Sequence, residues 1–235
     1  MLPHNHGSFI RTNNRERMTM TYIIGMVSQK GGAGKSTLAR LFARELTVGG
    51  YAVKIADLDT QQKTTVEWAA DRAENNIEPD IRAEVYRNVK TALKDISNFD
   101  AYILDGKPHA SQETLEIAKA SDLIIIPSGQ TKDDLRPAVD LANDLADKGI
   151  NEEKIAFVLI KTTSEAEANA AFEYLAKTDY TILPNHLPVS TAYGKAHDVG
   201  KTVSETSFQS LNEKAESVAQ TIINRLAEVA EKEVS

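Results

Sequence analysis

Residues 30–37 read Lys30-Gly31-Gly32-Ala33-Gly34-Lys35-Ser36-Thr37, between an apolar run at 22–29 and an amphipathic stretch at 35–48. A glycine-rich turn that leaves a strand and opens a helix belongs at the carboxyl edge of an α/β sheet, and its backbone suits phosphate. Gly31, Gly32 and Gly34 let N–H groups wrap around phosphate oxygens at dihedrals other residues avoid, with Ala33 completing the cradle and the helix N-terminus adding partial positive charge. Lys35 is expected to reach the β- and γ-phosphates, Ser36 to place its hydroxyl on Mg²⁺, and Thr37 to contact the α-phosphate. The blander alternative is a turn with solvated lysines, and the flanking strand and helix argue against it.

The rest of the chain has the alternating pattern that such a turn requires. Apolar runs at 22–29, 52–57, 81–86, 101–105, 123–127, 155–160 and 180–183 read as strands. Helical stretches are read near 35–48, 64–75, 89–96, 112–120, 133–147, 165–177 and 207–231. Several strands are too continuously apolar to leave one face in water, so the expected fold is three-layered α/β, a mostly parallel twisted sheet with helices on both faces. A length of 235 residues suits one domain, placed at 21–235. Residues 1–20 have no apolar periodicity and read as a flexible tail.

Composition removes several classes of function. With no cysteine, thiolate metal sites, disulfides and cysteine nucleophiles are out, which suits a reducing, cytoplasmic setting. No apolar run reaches the roughly 20 residues that span a bilayer. A net charge of -7 opposes a protein that coats nucleic acid along its whole surface, though not one with a local basic face.

Two further strand ends carry carboxylates. The second strand runs into Asp57-Leu58-Asp59-Thr60-Gln61, and alternation would turn Asp57 and Asp59 the same way, towards the phosphates. The strand 101–105 is apolar and ends in Asp105, the form of an element whose aspartate holds a water on Mg²⁺. Lys107 and His109 in the following turn read as loop residues. Asp133 and Asp134 begin a helix, where negative charge favours the dipole and helix capping explains them.

The string at 30–37 lacks the usual first glycine at Gln29 and adds a lysine at Lys30, which resembles the deviant Walker A motif, KGGxGK[ST], of the ParA/MinD family of P-loop ATPases. Residues 57–61 resemble that family's DxDxQ segment, and residues 192–205 its late Gly-Lys-x-Val-x-Glu region, so that the likeness runs over about 21–226. It implies a Lys30 that crosses a dimer interface to the partner's nucleotide, an Asp59 that orients the attacking water, and an Asp57 that supports Mg²⁺ or the loop. The family's usual proline is missing at Thr60, and its DxPP is replaced by Asp105-Gly106-Lys107-Pro108. Where the family often carries an adenine-reading Asn stands Lys161, so Lys161 and the stretch Leu187-Pro188-Val189 are the candidates for base contacts.

About twenty residues precede the first strand, as in the short, ParF-like form of the family. The resemblance implies ATP-dependent homodimerisation, nonspecific binding to nucleoid DNA, and ATP hydrolysis to ADP that is weak alone and stimulated by a ParB-like centromere-binding partner, hence DNA partition. Lys195, Lys201 and Lys214 are candidates for a DNA face and equally fit ordinary surface lysines. A ParA-like positioner of protein cargo has the same chemistry. A MinD-like regulator that cycles on membranes would need a basic amphipathic C-terminal helix, whereas the polar face here carries Glu213, Glu216, Glu228, Glu231 and Glu233. A metabolic P-loop synthetase would have no use for Lys30.

Overall fold

The computed structural model describes residues 21–108 and 111–234; the expected tail at 1–20 and His109 lie outside them. Seven strands form one sheet in the order β3-β2-β4-β1-β5-β6-β7. They are β1 (Tyr22–Met26), β2 (Val53–Asp57), β3 (Arg82–Val85), β4 (Ala101–Asp105), β5 (Leu123–Ser128), β6 (Ile155–Thr162) and β7 (Thr181–Pro188). Every neighbouring pair is parallel. The chain starts at β1 in the middle, builds one wing through β2, β3 and β4, then crosses to β5, β6 and β7. The switch point therefore lies at β1, where a doubly wound sheet opens a crevice at its carboxyl edge.

Burial explains the composition of the strands. β2, β4 and β5 are buried along their whole length, as strands covered on both faces must be. One face packs Ile24, Met26, Ile55, Ile103 and Ile125 against Leu38, Leu41, Phe42 and Leu46 of α1 (Lys35–Val48). Those four helix positions recur at spacings of three and four, the stripe that makes the segment helical. The other face packs Tyr102, Leu104, Ile124, Ile126, Phe157 and Leu159 against α4 (Ser111–Ala120), α5 (Lys132–Asp147) and α6 (Glu165–Leu175). Each such side chain contributes about 1.5–3 kcal/mol by leaving water.

The remaining helices are α2 (Thr64–Glu74), α3 (Val89–Ala92), α7 (Thr191–His197) and α8 (Gln209–Val234). The helix expected at 89–96 is one α-turn followed by a 3₁₀ segment, Leu93–Asn98. β7 is longer than the expected 180–183, and α7 was not expected. On α8, Ala215, Val218, Ala219, Ile222, Leu226 and Val229 are buried in the core shared with α1 and β7, so the apolar stripe is already covered. No helix among the described residues is long and apolar enough to cross a membrane.

Candidate nucleotide site

The loop after β1 is shaped by two glycines with left-handed backbone, Gly32 at φ 68° and Gly34 at φ 94°. The φ of Gly34 calls for glycine there, and a Cβ would in addition displace the end of the Ile160 side chain, whose Cδ1 would stand 2.0 Å away. α1 starts at Lys35 with no side-chain cap, which leaves its first N–H groups for a ligand. A cleft at this edge is lined by Gly31, Gly32, Gly34, Lys35, Ser36, Thr37, Asp59, Gln62, Asp105 and Lys161, with Pro108 at its rim. Ala33 lines a second cleft, on the other flank of the loop.

Lys35 is buried, and its ammonium donates to Ser28 Oγ at 3.0 Å, while Ser28 Oγ donates to the Lys30 carbonyl at 2.8 Å. Burial lowers the Lys35 pKa, opposed by the charges of Asp105 and Asp59. An anionic ligand would replace the hydration this lysine has lost.

Lys30, five residues earlier, goes elsewhere. Its Nζ lies 3.1 Å from Asp134 Oδ1, across the second cleft, which is also lined by Gln130, Thr131, Lys161 and Thr163. Asp134 Oδ2 accepts a second bond from Thr131 Oγ1 at 2.7 Å. Burial pushes the Asp134 carboxyl up, but the bonds from Thr131 and Lys30 together hold it below the usual carboxylate range. Asp134 keeps its expected place at the helix start, in the first turn of α5 and bonded back to Thr131, and its side chain holds Lys30 in addition. Lys161 has a left-handed backbone, φ 56°, and its Nζ donates to the Gly32 carbonyl at 2.6 Å. It thus sits on the loop between the two clefts. Pro188 pairs in register with Thr162 at the end of β7 and lines neither cleft.

The carboxylates are ordered by the parallel register, in which Asp57 on β2 stands opposite Asp105 on β4. Asp57 is buried, and its oxygens accept from the Asp59 N–H at 2.9 Å and the Thr65 N–H at 3.1 Å. Burial raises its pKa and these bonds oppose the rise. β2 ends at Asp57, so alternation does not extend to Asp59: only Asp59 lines the phosphate cleft. Asp59 Oδ1 accepts from the Gln61 and Gln62 N–H groups at 3.2 and 3.0 Å, a turn that does without the family's proline. Asp105 Oδ2 accepts from Thr65 Oγ1 at 2.8 Å, whereas its buried Oδ1 has no partner. Burial pushes this carboxyl up to about 6, with the nearby Ser36 side chain acting in the opposite direction.

An orphaned, buried carboxylate oxygen beside a serine hydroxyl at the mouth of a phosphate loop is a hard-oxygen donor set, too sparse to cage a metal by itself. No group of three or more metal-ligating acids or histidines occurs among the described residues. Mg²⁺ fits such a place because it takes one or two protein ligands and completes its shell with phosphate and water. Lys107 pairs with Glu113 at 3.1 Å, in keeping with a loop residue.

The sequence profile of the CobQ/CobB/MinD/ParA nucleotide binding domain matches residues 24–232. The chain belongs to this family. No curated protein matches this CobQ/CobB/MinD/ParA member by sequence. Its fold is shared with an AMPPNP-bound protein of Borrelia burgdorferi B31 named for plasmid partition, at 18% identity and TM-score 0.68 over 87% of this chain and 99% of that one. MinD from Pyrococcus horikoshii with Mg-ADP gives 15% and 0.69 over 86% and 96%. An ATP complex of McdA from Cyanothece gives 15% and 0.63 over 86% and 96%.

Proposed function

We propose that this protein is a ParA-type ATPase that dimerises on ATP, binds DNA nonspecifically and drives plasmid or chromosome partition through partner-stimulated hydrolysis, as a nucleoid-associated protein of the cytoplasm. The observation that carries this reading is the separation of the two loop lysines. Lys35 lines the phosphate cleft, whereas Lys30 stands on the far flank of the loop with Asp134. A lysine so placed does not serve the nucleotide of its own chain, and it suits a phosphate presented by a second copy.

In the bound state the N-terminus of α1 and the loop amides hold the phosphates, and Lys35 neutralises their charge. Ser36 and Asp105 would hold Mg²⁺, which when bound would supply charge neutralisation at the phosphates. Asp59 accepts a hydrogen bond from the attacking water and aims it. Asp57 keeps the Asp59 turn in place from beneath. Lys30 of the second chain stabilises the charge that develops on the transferred phosphoryl group. The ammonium of Lys161 is a donor only, so its base contact is restricted to acceptor atoms of adenine. Pro188 is proposed at most as an apolar edge near the base.

Positioning of a protein cargo is the second reading, supported by the shared fold with McdA. Both predict ATP-dependent DNA binding. A membrane-cycling role is less well supported, because the stripe on α8 is covered by the core. The candidate DNA lysines include Lys214, which is paired with Glu165 at 3.0 Å. The test is retention on arbitrary duplex DNA at two salt concentrations. The proposal expects binding with ATP, loss with ADP, and weakening at the higher salt. Equal binding with both nucleotides, or none with either, would overturn it.

A further inference from the structure

Thr65, the second residue of α2, is 0% exposed and makes two hydrogen bonds to two different carboxylates. Its N–H donates to Asp57 Oδ2 at 3.1 Å, and its Oγ1–H donates to Asp105 Oδ2 at 2.8 Å. Asp57 Oδ1 meanwhile accepts from the Asp59 N–H. The segment 59–65 is thereby tied at both ends to Asp57, and its far end is tied to Asp105 as well.

The arrangement is directional. A hydroxyl has one proton, and here it goes to Oδ2, which settles the carboxylate plane of Asp105 and leaves Oδ1 as its partnerless oxygen. A valine would fill the same volume, so packing alone does not call for threonine here. A serine would keep the bond while losing a methyl group. We propose that Thr65 is a positioning residue, which orients Asp105 towards the metal and links the state of that carboxylate to the turn that carries Asp59. A pull on Asp105 from the metal side is passed through Oγ1 to the first turn of α2, and through the Thr65 and Asp59 amides to the turn at 59–62. The inference rests on the Mg²⁺-nucleotide reading above. Neither the DxDxQ segment nor the phosphate loop includes this residue.

The experiment uses the full chain as wild type, Thr65→Val and Thr65→Ser, with a fluorescent N-methylanthraniloyl-ATP titrated in Mg²⁺ and in EDTA. Groups that orient a metal's ligands typically affect metal affinity about 10–100-fold when removed. Thr65→Val is therefore expected to lose about tenfold or more of the Mg²⁺-dependent tightening, with its affinity in EDTA unchanged, and Thr65→Ser to stay within about threefold of wild type. A merely structural role would weaken both conditions alike. Full Mg²⁺ enhancement in Thr65→Val, or equal losses in both variants, would overturn the inference while leaving the ATPase reading intact. A wild type that binds no nucleotide at all would overturn both. Should the valine variant not fold, hydrogen exchange on wild type decides: residues 58–66 are expected to gain protection when Mg²⁺ joins the bound nucleotide, and unchanged exchange there refutes the link.

Discussion

Lys30 Nζ and Asp134 Oδ1 stand 3.1 Å apart, joining the phosphate loop after β1 to the first turn of α5. The two side chains are 42% and 36% exposed, so the pair is worth at most about 1 kcal/mol. Its importance lies in what it occupies, since a lysine held within its own chain is withheld from another. Each homodimer releases two such pairs, so Asp134→Ala should tighten ATP-dependent dimerisation by up to about 25-fold, about fivefold for each pair at about 1 kcal/mol. Sedimentation across a concentration series reads this directly. Weaker dimerisation in the variant would mean that Asp134 supports the assembled state.

A pH effect follows from Asp105. Its folded-state pKa of about 6 lies above the ordinary 3.8, so its ionisation opposes folding. The stability associated with the protonated form is fully present below about pH 4 and lost as pH rises through 6, up to about 3 kcal/mol for a shift near two units. Asp57 shifts in the same direction. Thermal melting of the nucleotide-free protein in EDTA should show this decline, and Asp105→Asn should flatten it, melting several degrees above wild type at pH 7. The same variant should lose Mg²⁺-dependent nucleotide binding. An unchanged pH profile in Asp105→Asn would contradict the assignment.

Away from the site, Arg72 is fully buried and donates to both Glu205 oxygens, at 2.7 and 2.9 Å, and to the carbonyls of Pro79 and Gly200. Glu205 also accepts from the Thr202 N–H at 2.8 Å. Burial pushes Glu205 up, but these bonds prevail and hold it below the usual range. Glu205→Ala leaves a buried guanidinium without its partner and should cost about 3–5 kcal/mol by chemical denaturation. A loss under about 1 kcal/mol would show that water reaches Arg72.

Much of this was legible in local pattern. α1 follows from the stripe of Leu38, Leu41, Phe42 and Leu46, and the phosphate loop from its glycines, because each signal is contained within a few residues. β7 looks shorter in the sequence than it is because Pro184 and Asn185 break its apolar run, which a strand at the sheet edge tolerates. α7 carries Gly194 and buries only Tyr193 and Ala196, too little to form a periodic stripe. The contacts of Asp134 and Thr65 are hidden in the sequence for another reason. Their partners lie 104 and 40 residues away, brought close by a strand order that sets β5 beside β1 and β4 beside β2. An acidic pair at a helix start and a threonine after a turn have ordinary local explanations. Recognising their role requires knowing which strands are neighbours.

The central claim is that the nucleotide site is completed by a second chain through Lys30. Sedimentation velocity with ATP and with ADP, on wild type and Lys30→Ala, tests it most directly when paired with nucleotide titrations that include Lys35→Ala. The account predicts a wild-type dimer with ATP and a monomer with ADP. It predicts that Lys35→Ala abolishes nucleotide binding, and that Lys30→Ala retains most binding while losing the ATP-dependent dimer and hydrolysis. Equal loss of nucleotide binding in the two variants, or a Lys30→Ala protein that dimerises and hydrolyses ATP like wild type, would contradict it.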